Sequence, residues 1–144
     1  MEVINVITER YSSLDEFLKE QGPSQLIVNY DDITKIFQVF SKTPISLELI
    51  DSCFKNEKKN AAVEYLSQWL VMLNDFLNIN KVIPAKSIRQ LSYMLYKKHS
   101  HFTLADLKLL FEFILESKYG TFYGSVDTQT ILTSFAQYSK ERRD

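Results

Sequence analysis

The amino-acid sequence predicts an all-α fold, a single-domain bundle of about six or seven helices. The length of 144 residues suits one hydrophobic core, because single domains most often run to about 100 to 150 residues. Hydrophobic residues make up 45% of the chain, which is enough apolar surface to drive folding. Only 3 glycines and 3 prolines are present, fewer than strands joined by tight turns would need. Helices therefore account for the composition best.

An apolar helical stripe runs through the first twenty residues. Its members recur every three or four residues: Ile4, Ile7, Tyr11, Leu14 and Leu18. Ser13 begins a Ser-Leu-Asp-Glu run with the spacing of a capping box. Either one continuous helix or a break near Ser13, with a second helix over Leu14–Glu20, fits this pattern. Gly22 and Pro23 then end the helix, glycine through a left-handed cap and proline by interrupting the hydrogen bonds.

The next stretch of chain is less regular. The β-branched run Leu26–Tyr30 fits either a short extended segment or a buried connection. Asp31 or Asp32 is placed to cap a helix. The apolar residues of that helix are Ile33, Ile36, Phe37 and Phe40. Thr43 and Pro44 have the pattern of a cap followed by proline at the first helical position, which predicts a short helix ending near Phe54.

Two long helices are predicted in the middle of the chain, beyond a polar run at residues 55–60. The first covers Ala61–Leu77, where apolar residues recur at the spacing of a helical face: Ala62, Leu66, Trp69, Leu73 and Phe76. Pro84 opens the second, which ends near the histidines. Its inward residues are Ile88, Leu91 and Leu95.

Two more helices complete the predicted bundle. Thr103 caps a helix over Leu104–Ser117 that is apolar nearly all round, so we expect it at the centre beside Ala61–Leu77. Residues 118–125 form an aromatic, glycine-rich loop, and Asp127 caps the last helix. The apolar residues of that helix are Ile131, Phe135 and Tyr138.

Charge and cysteine content exclude several classes of protein. Residues 1–76 carry 7 basic and 12 acidic side chains, a balance of −5, whereas residues 77–144 carry 10 and 6, a balance of +4. Cys53 is the only cysteine, which excludes an internal disulfide and a multi-thiolate metal site. No stretch approaches about 18 uninterrupted apolar residues and the N-terminus lacks a basic start, so we expect neither a membrane span nor export. A cytoplasmic location follows.

We predict no catalytic, metal-binding or cofactor-binding residues. His99 and His101 lack further ligands, and a solvated helix end that favours cationic histidine explains them better than a metal site. The carboxylates Glu112 and Glu116 are spaced like solvent-facing helix charges that pair with lysines such as Lys108. No Gly-Lys-Ser/Thr follows the loop glycines, so a phosphate-binding loop is excluded. We therefore expect no enzyme.

One basic face of the Pro84 helix is a candidate nucleic-acid surface. Lys86, Arg89 and Lys97, with Tyr93 between them, could follow a phosphate backbone while the ring stacks on a base. The ordinary alternative is a solvated helix face. The sequence pI of about 6.1 is far below that of dedicated nucleic-acid binders, which favours the alternative.

Three stretches of the C-terminal part resemble a known family. They are residues 62–77, residues 104–107 and the loop that begins with Tyr119 and Gly120 and leads through Tyr123 to Asp127. Over residues 62–142 the chain resembles an uncharacterised helical family carried by phages and integrative elements of Bacteroidetes. Tyr138 and Arg142 at the end of the last helix also match it. Residues 1–60 show no such resemblance, so we treat 61–142 as the family-like core of one domain.

The tyrosine loop has two interpretations. Tyrosines beside flexible glycines are typical of recognition surfaces, because they supply a large contact area at a small entropic cost. Alternatively, the rings pack under the last helices while Gly120 and Gly124 adopt conformations that other residues avoid. Exposure of Tyr119, Tyr123 or Tyr138 distinguishes the two.

The resemblance implies a phage or mobile-element setting in the cytoplasm of a host cell. Small helical proteins in such settings often act as replication adaptors or helicase loaders, or inhibit a host machine. We therefore expect a non-catalytic protein that binds a host or phage protein through Tyr119, Tyr123, Tyr138 and Arg142. The alternatives are a virion-associated structural component and a nucleic-acid-binding accessory protein. The sequence leaves the oligomeric state open.

Overall fold

The computed structural model describes residues 2–57, 59–77 and 79–144. Over these residues the chain is all-α, as the sequence predicts. The elements in chain order are α1 (Glu2–Arg10), α2 (Leu14–Gln21), α3 (Pro23–Asn29), a 3₁₀ helix (Ile36–Ser41), α4 (Leu47–Phe54), α5 (Ala61–Leu77), α6 (Ala85–His99), α7 (Leu104–Leu115) and α8 (Thr128–Arg143). The polar run 55–60 is described except at Lys58, which lies outside the described residues with Met1 and Asn78.

Side-chain caps begin several of these helices where the sequence predicts them. The Ser13 hydroxyl accepts a hydrogen bond from the Glu16 amide at 3.1 Å, so the N-terminal stripe is broken into two helices. Thr103 and Asp106 form the reciprocal capping box of α7. The Asp127 carboxylate accepts from the Gln129 amide at 2.9 Å and begins α8. Short-range hydrogen bonding thus sets these boundaries.

The prediction for Leu26–Tyr30 is wrong, because residues up to Asn29 form α3. Pro23 occupies the first turn of this helix, where its fixed φ is favourable and its missing N–H is not needed. Gly22 is extended, with φ −76° and ψ 173°, and does not form a left-handed cap. A Cβ at Gly22 would lie 2.4 Å from the Leu18 carbonyl oxygen, so glycine permits the tight turn between α2 and α3.

The predicted caps at Asp31 or Asp32 and at Thr43 are also wrong. The first segment is a 3₁₀ helix that begins at Ile36, because the Gln38 side chain accepts from the Thr34 and Lys35 amides. The second helix begins at Leu47 with Ser46 as its cap. Ser46 pairs with Thr103 as an isolated antiparallel bridge. Around it, the Leu47 amide donates to the Phe102 carbonyl at 2.9 Å, and the Leu104 amide donates to the Ile45 carbonyl at 3.0 Å. This pairing moves the start of the helix from the predicted Pro44 to Leu47.

Helices α5 and α7 contribute the largest share of the core. Trp69 of α5 and Phe111 of α7 are fully buried and stack with ring centroids 5.1 Å apart. Tyr65 extends the aromatic contacts toward α2 through Phe17 at 5.8 Å. The apolar residues of α6 and α8 join the same cluster. All the elements therefore surround one core. Within the described residues, no helix combines the length and the apolar character needed to span a bilayer.

Candidate macromolecule-binding surfaces

The predicted basic face lies on the solvent side of α6. Lys86, Arg89, Tyr93 and Lys97 are all exposed, because their spacing of three or four residues places them on one side of the helix. The structure brings three of them, Lys86, Arg89 and Tyr93, to one groove of about 800 Å³. Lys97 adjoins it, since its Nζ lies 5.6 Å from the centroid of the Tyr93 ring.

The groove has an apolar floor that the sequence analysis did not foresee. Val63 at the start of α5 and Ala85 and Met94 of α6 line it together with the basic residues. Tyr93 is 47% exposed and Met94 is 48% exposed, although both lie beside the contact between α5 and α6. An apolar floor with a polar rim is typical of a binding groove.

The groove carries an excess of positive charge. Arg89 Nη1 pairs with Glu64 Oε2 at 2.9 Å, and both side chains are partly exposed to solvent. Lys86 and Lys97 add two further cations. Helix α6 follows Pro84 without a side-chain cap and has no acidic residue in its first turn, so its first amide groups also contribute positive potential.

Further hollows extend this groove along α5. One hollow of about 390 Å³ shares Ala85 with the groove, and it shares Val71 and Asp75 with a third hollow of about 410 Å³. Phe76, which lines the third, is 67% exposed. Because neighbouring hollows share residues, the three adjoin one another as one trough that follows α5, bounded by α6 in the first two hollows and by Pro23 and Ser24 of α3 in the third. We call it the α5/α6 trough.

The tyrosine loop is held against the start of the α6 connection. The Lys81 amide donates to the Gly124 carbonyl at 3.2 Å, and the Val126 amide donates to the Lys81 carbonyl at 2.7 Å. Tyr123 at the tip of the loop is 88% exposed, whereas the Phe122 ring is half-buried. The loop is therefore a fixed turn that presents one tyrosine.

Tyr119 at the other end of the loop is half-buried and packed. Its ring lies edge-on to Phe113 with centroids 6.2 Å apart, and its hydroxyl donates to Glu141 Oε1 at 3.1 Å. Burial, together with the hydrogen bond to the Glu141 carboxylate, raises the pKa of the Tyr119 hydroxyl. This residue attaches the loop to α8 and offers only part of its ring to a partner.

The prediction that Tyr138 faces a partner is wrong. Its side chain is 0% exposed, and its hydroxyl donates to Asp106 Oδ1 at 2.6 Å. Arg142 is also committed to the fold, since its Nε donates to both oxygens of Asp106 at 3.0 and 3.1 Å. Both residues face inward because the turn spacing of α8 places them toward the buried N-terminus of α7. Through Asp106, they connect the end of α8 to the start of α7.

Other ionisable groups are also used by the fold. The expected pairing of Glu112 with Lys108 is confirmed, but Lys108 is buried, and its Nζ also donates to the Ile33 carbonyl at 2.8 Å. His99 was expected to be solvated and cationic, but it is buried against Phe102, with ring centroids 4.8 Å apart. Desolvation, with help from the nearby His101 and Lys98 charges, lowers the pKa of His99 to about 4. Its imidazole is therefore neutral at pH 7.

Sequence reasoning missed Asp106 as the acceptor that joins α7 and α8. The available signal was the capping-box spacing of Thr103 and Asp106 within an otherwise apolar segment.

No group of three or more histidine, cysteine or acidic side chains within residues 2–57, 59–77 and 79–144 is arranged to hold a metal ion.

A family of unknown function, DUF6633, matches residues 82–144 of the chain. The matched region contains α6, α7 and α8, with the tyrosine loop and the Asp106, Tyr138 and Arg142 cluster. Helix α5, which forms the other wall of the groove, lies outside the match. No curated protein and no solved structure matches the chain.

Proposed function

We propose that this chain acts by binding another protein and catalyses no reaction, as an adaptor of a phage or mobile element in the cytoplasm of the host. The α5/α6 trough is the binding surface. The observation that carries the proposal is the pair of half-exposed side chains, Tyr93 and Met94, on the apolar floor of a groove of about 800 Å³. Large apolar residues grouped on a surface in this way mark sites of interaction.

The side chains of the trough favour a protein as the partner. Tyrosine is enriched among the residues that dominate protein interfaces, and methionine adapts its shape to a partner. The exposed Phe76 and Val71 continue this apolar surface beyond the basic groove. A nucleic-acid backbone would need a longer basic track than Lys86, Arg89 and Lys97 provide.

The use of the buried ionisable groups supports a role without chemistry. Asp106 accepts hydrogen bonds from Thr103, Tyr138 and Arg142, and Lys108 is bound to a backbone carbonyl and to Glu112. Groups held in this way join elements of the fold. A catalytic group would instead be aimed at a cleft where a substrate binds.

Site-specific photo-crosslinking tests the proposal. Benzoylphenylalanine replaces Tyr93 or Phe76 in the trough, and Val28 on the exposed face of α3 as the matched control. The chain is expressed in its source cells, and the lysate is divided into samples with and without nuclease. We expect one nuclease-resistant protein adduct from both trough positions and none from Val28.

Two results would overturn this proposal. Adducts that disappear with nuclease would support the nucleic-acid alternative, since a bridging strand then carries the contact. Adducts that contain only a second copy of this chain would support self-assembly, as a virion component would show. Mass spectrometry of the adducts separates both results from the expected one.

A further inference from the structure

We infer that the occupant of the groove is an acidic, amphipathic α-helix of the partner protein. This inference rests on the proposed function and names the chemistry of the segment that binds. The groove is the part of the α5/α6 trough lined by Val63, Lys86, Arg89, Tyr93 and Met94.

The shape of the groove suits a short helix. Its α6 wall runs from Ala85 to Met94, which corresponds to about 14 Å at the rise of an α-helix. Asn60, just before α5, lies on the opposite side of the groove, and Val63 in the first turn of α5 lies on its floor. A helix of about three turns lying along α6 would place apolar side chains on the floor at the i, i+4 and i+7 positions.

The charges around the groove select an acidic occupant. Lys86 stands at one end and Lys97 lies just beyond Tyr93 at the other, about 16 Å apart along the helix. Between them, Arg89 is held only by a solvent-exposed pair with Glu64, which contributes little and exchanges readily for another carboxylate. Carboxylates about three turns apart on the occupant would therefore face Lys86 and Lys97.

The amphipathic helices of this chain are poor occupants of the groove. The acidic helix α2 has the right composition, but Leu14 and Phe17 of its apolar face are buried in the core. In α1, Ile7 is buried in the same core. Removing either helix would expose this apolar surface, so the occupant is best supplied by another protein.

Fluorescence anisotropy with designed peptides tests the inference. The probes are three labelled peptides, each long enough for about four helical turns. The first has leucines on one face and glutamates on the other, and the second has lysines in place of the glutamates. The third has the residues of the first in scrambled order, so that leucines and glutamates no longer occupy separate faces. A single-stranded oligonucleotide is the fourth probe. We expect the full chain to bind only the acidic amphipathic peptide, more weakly as salt is raised.

Matched variants locate the binding. We expect K86E and M94D each to weaken binding of the acidic peptide by about tenfold, because one removes an ion pair and the other makes the floor polar. E64Q should strengthen it by about threefold, since it releases Arg89. K35E beside the 3₁₀ helix and V28D on α3 introduce a matching charge reversal and a matching apolar-to-aspartate change at exposed positions outside the groove. Both variants should bind the acidic peptide as the unchanged chain does. Circular dichroism verifies that each variant is folded.

Several outcomes would overturn the inference. Equal binding of the lysine or scrambled peptide would exclude selection by charge and amphipathic pattern, and unchanged binding by both K86E and M94D would exclude the groove. Preferred binding of the oligonucleotide, or a chain that dimerises through the groove, would assign it another occupant. If Tyr93 crosslinks a partner protein while no acidic peptide binds, this inference fails but the proposed function stands. If no partner protein crosslinks, the proposed function itself fails.

Discussion

The Asp106 carboxylate accepts hydrogen bonds from three places in the chain. Tyr138 and Arg142 donate from α8, and the Thr103 amide donates at 2.9 Å from the start of α7. A buried carboxylate is tolerated only when it is paired and hydrogen-bonded in this way. Each donor that is removed therefore leaves part of a charge uncompensated in the core.

We expect Y138F to lower the free energy of unfolding by about 2 kcal/mol, because a hydrogen bond to a buried charged acceptor is lost. D106N should cost about 3 kcal/mol, since it also leaves Arg142 without its counter-charge. Urea unfolding followed by circular dichroism measures both. The matched control is Y123F, which removes the hydroxyl of an exposed tyrosine and should leave stability unchanged. Equal effects of Y123F and Y138F would contradict this account.

His99 gives the fold a dependence on pH. Burial lowers its pKa from 6.5 to about 4, so the folded chain binds a proton less readily than the unfolded chain. The contribution of the neutral His99 to the free energy of unfolding is therefore complete above pH 6.5. It is lost as the pH falls toward 4, which lowers that free energy by about 3 kcal/mol. Urea unfolding at several pH values should show that H99M flattens this part of the profile. H101Q, which changes an exposed histidine, should retain most of it.

Helix α7 ends in a turn that contains a strained residue. Ser117 has a φ of 63°, the left-handed conformation that glycine adopts most easily. The Lys118 amide donates to the Phe113 carbonyl at 3.0 Å, and the Ser117 amide donates to the Ile114 carbonyl at 3.1 Å. These are the hydrogen bonds of a Schellman motif, which requires this conformation. The turn thus directs the chain into the tyrosine loop at some cost in backbone energy.

We expect S117G to raise the free energy of unfolding by about 0.5 to 1 kcal/mol, because relief of the left-handed strain exceeds the added chain entropy of glycine. The thermal midpoint is the measurement. S52G in α4 is the control: it changes an exposed serine in the right-handed conformation and should be mildly destabilising. A fall in the midpoint for both variants would show that strain at Ser117 is too small to matter.

At the scale of the whole molecule, α5 joins the N-terminal helices to the C-terminal three. Its Tyr65 hydroxyl donates to the Gln21 carbonyl at 2.6 Å, while its Trp69 ring stacks on Phe111 of α7. Asn74 also holds the connection to α6 through paired hydrogen bonds with the Ile83 backbone at 2.9 and 3.0 Å. The core is therefore continuous across the boundary of the region that matches the family of unknown function.

A fragment of residues 82–144 should not fold cooperatively by itself. Without α5, the apolar surface of Phe111 and of the inner face of α6 would be exposed to water. We expect a weak helical signal and no sharp thermal transition by circular dichroism. A fragment of residues 61–144, which restores α5, should gain helical signal and a transition. Cooperative melting of 82–144 would show that the matched region is a domain of its own.

The prediction from sequence succeeded where hydrogen bonds and periodicity within a short stretch decide the structure. Ser13, Thr103 and Asp127 cap helices by bonds to residues two or three positions away, and α5 has the predicted bounds because its apolar repeat is long. The all-α class follows from the same local signals. Burial of individual tyrosines and charges is different, because it depends on which helix lies opposite.

Only the tertiary structure decided the roles of the candidate binding residues. It buries Tyr138 on Asp106, leaves Tyr123 exposed, and sets Tyr93 beside Met94 and Val63 on the floor of a groove. It also moves the start of α4 from Pro44 to Leu47, since the backbone of residues 45–48 forms hydrogen bonds with residues 100–104 far along the chain. Local sequence determined where most of the helices form, because their hydrogen bonds connect residues about one turn apart. Packing between distant segments determined which side chains remain for a partner, because a surface is whatever the other elements leave uncovered.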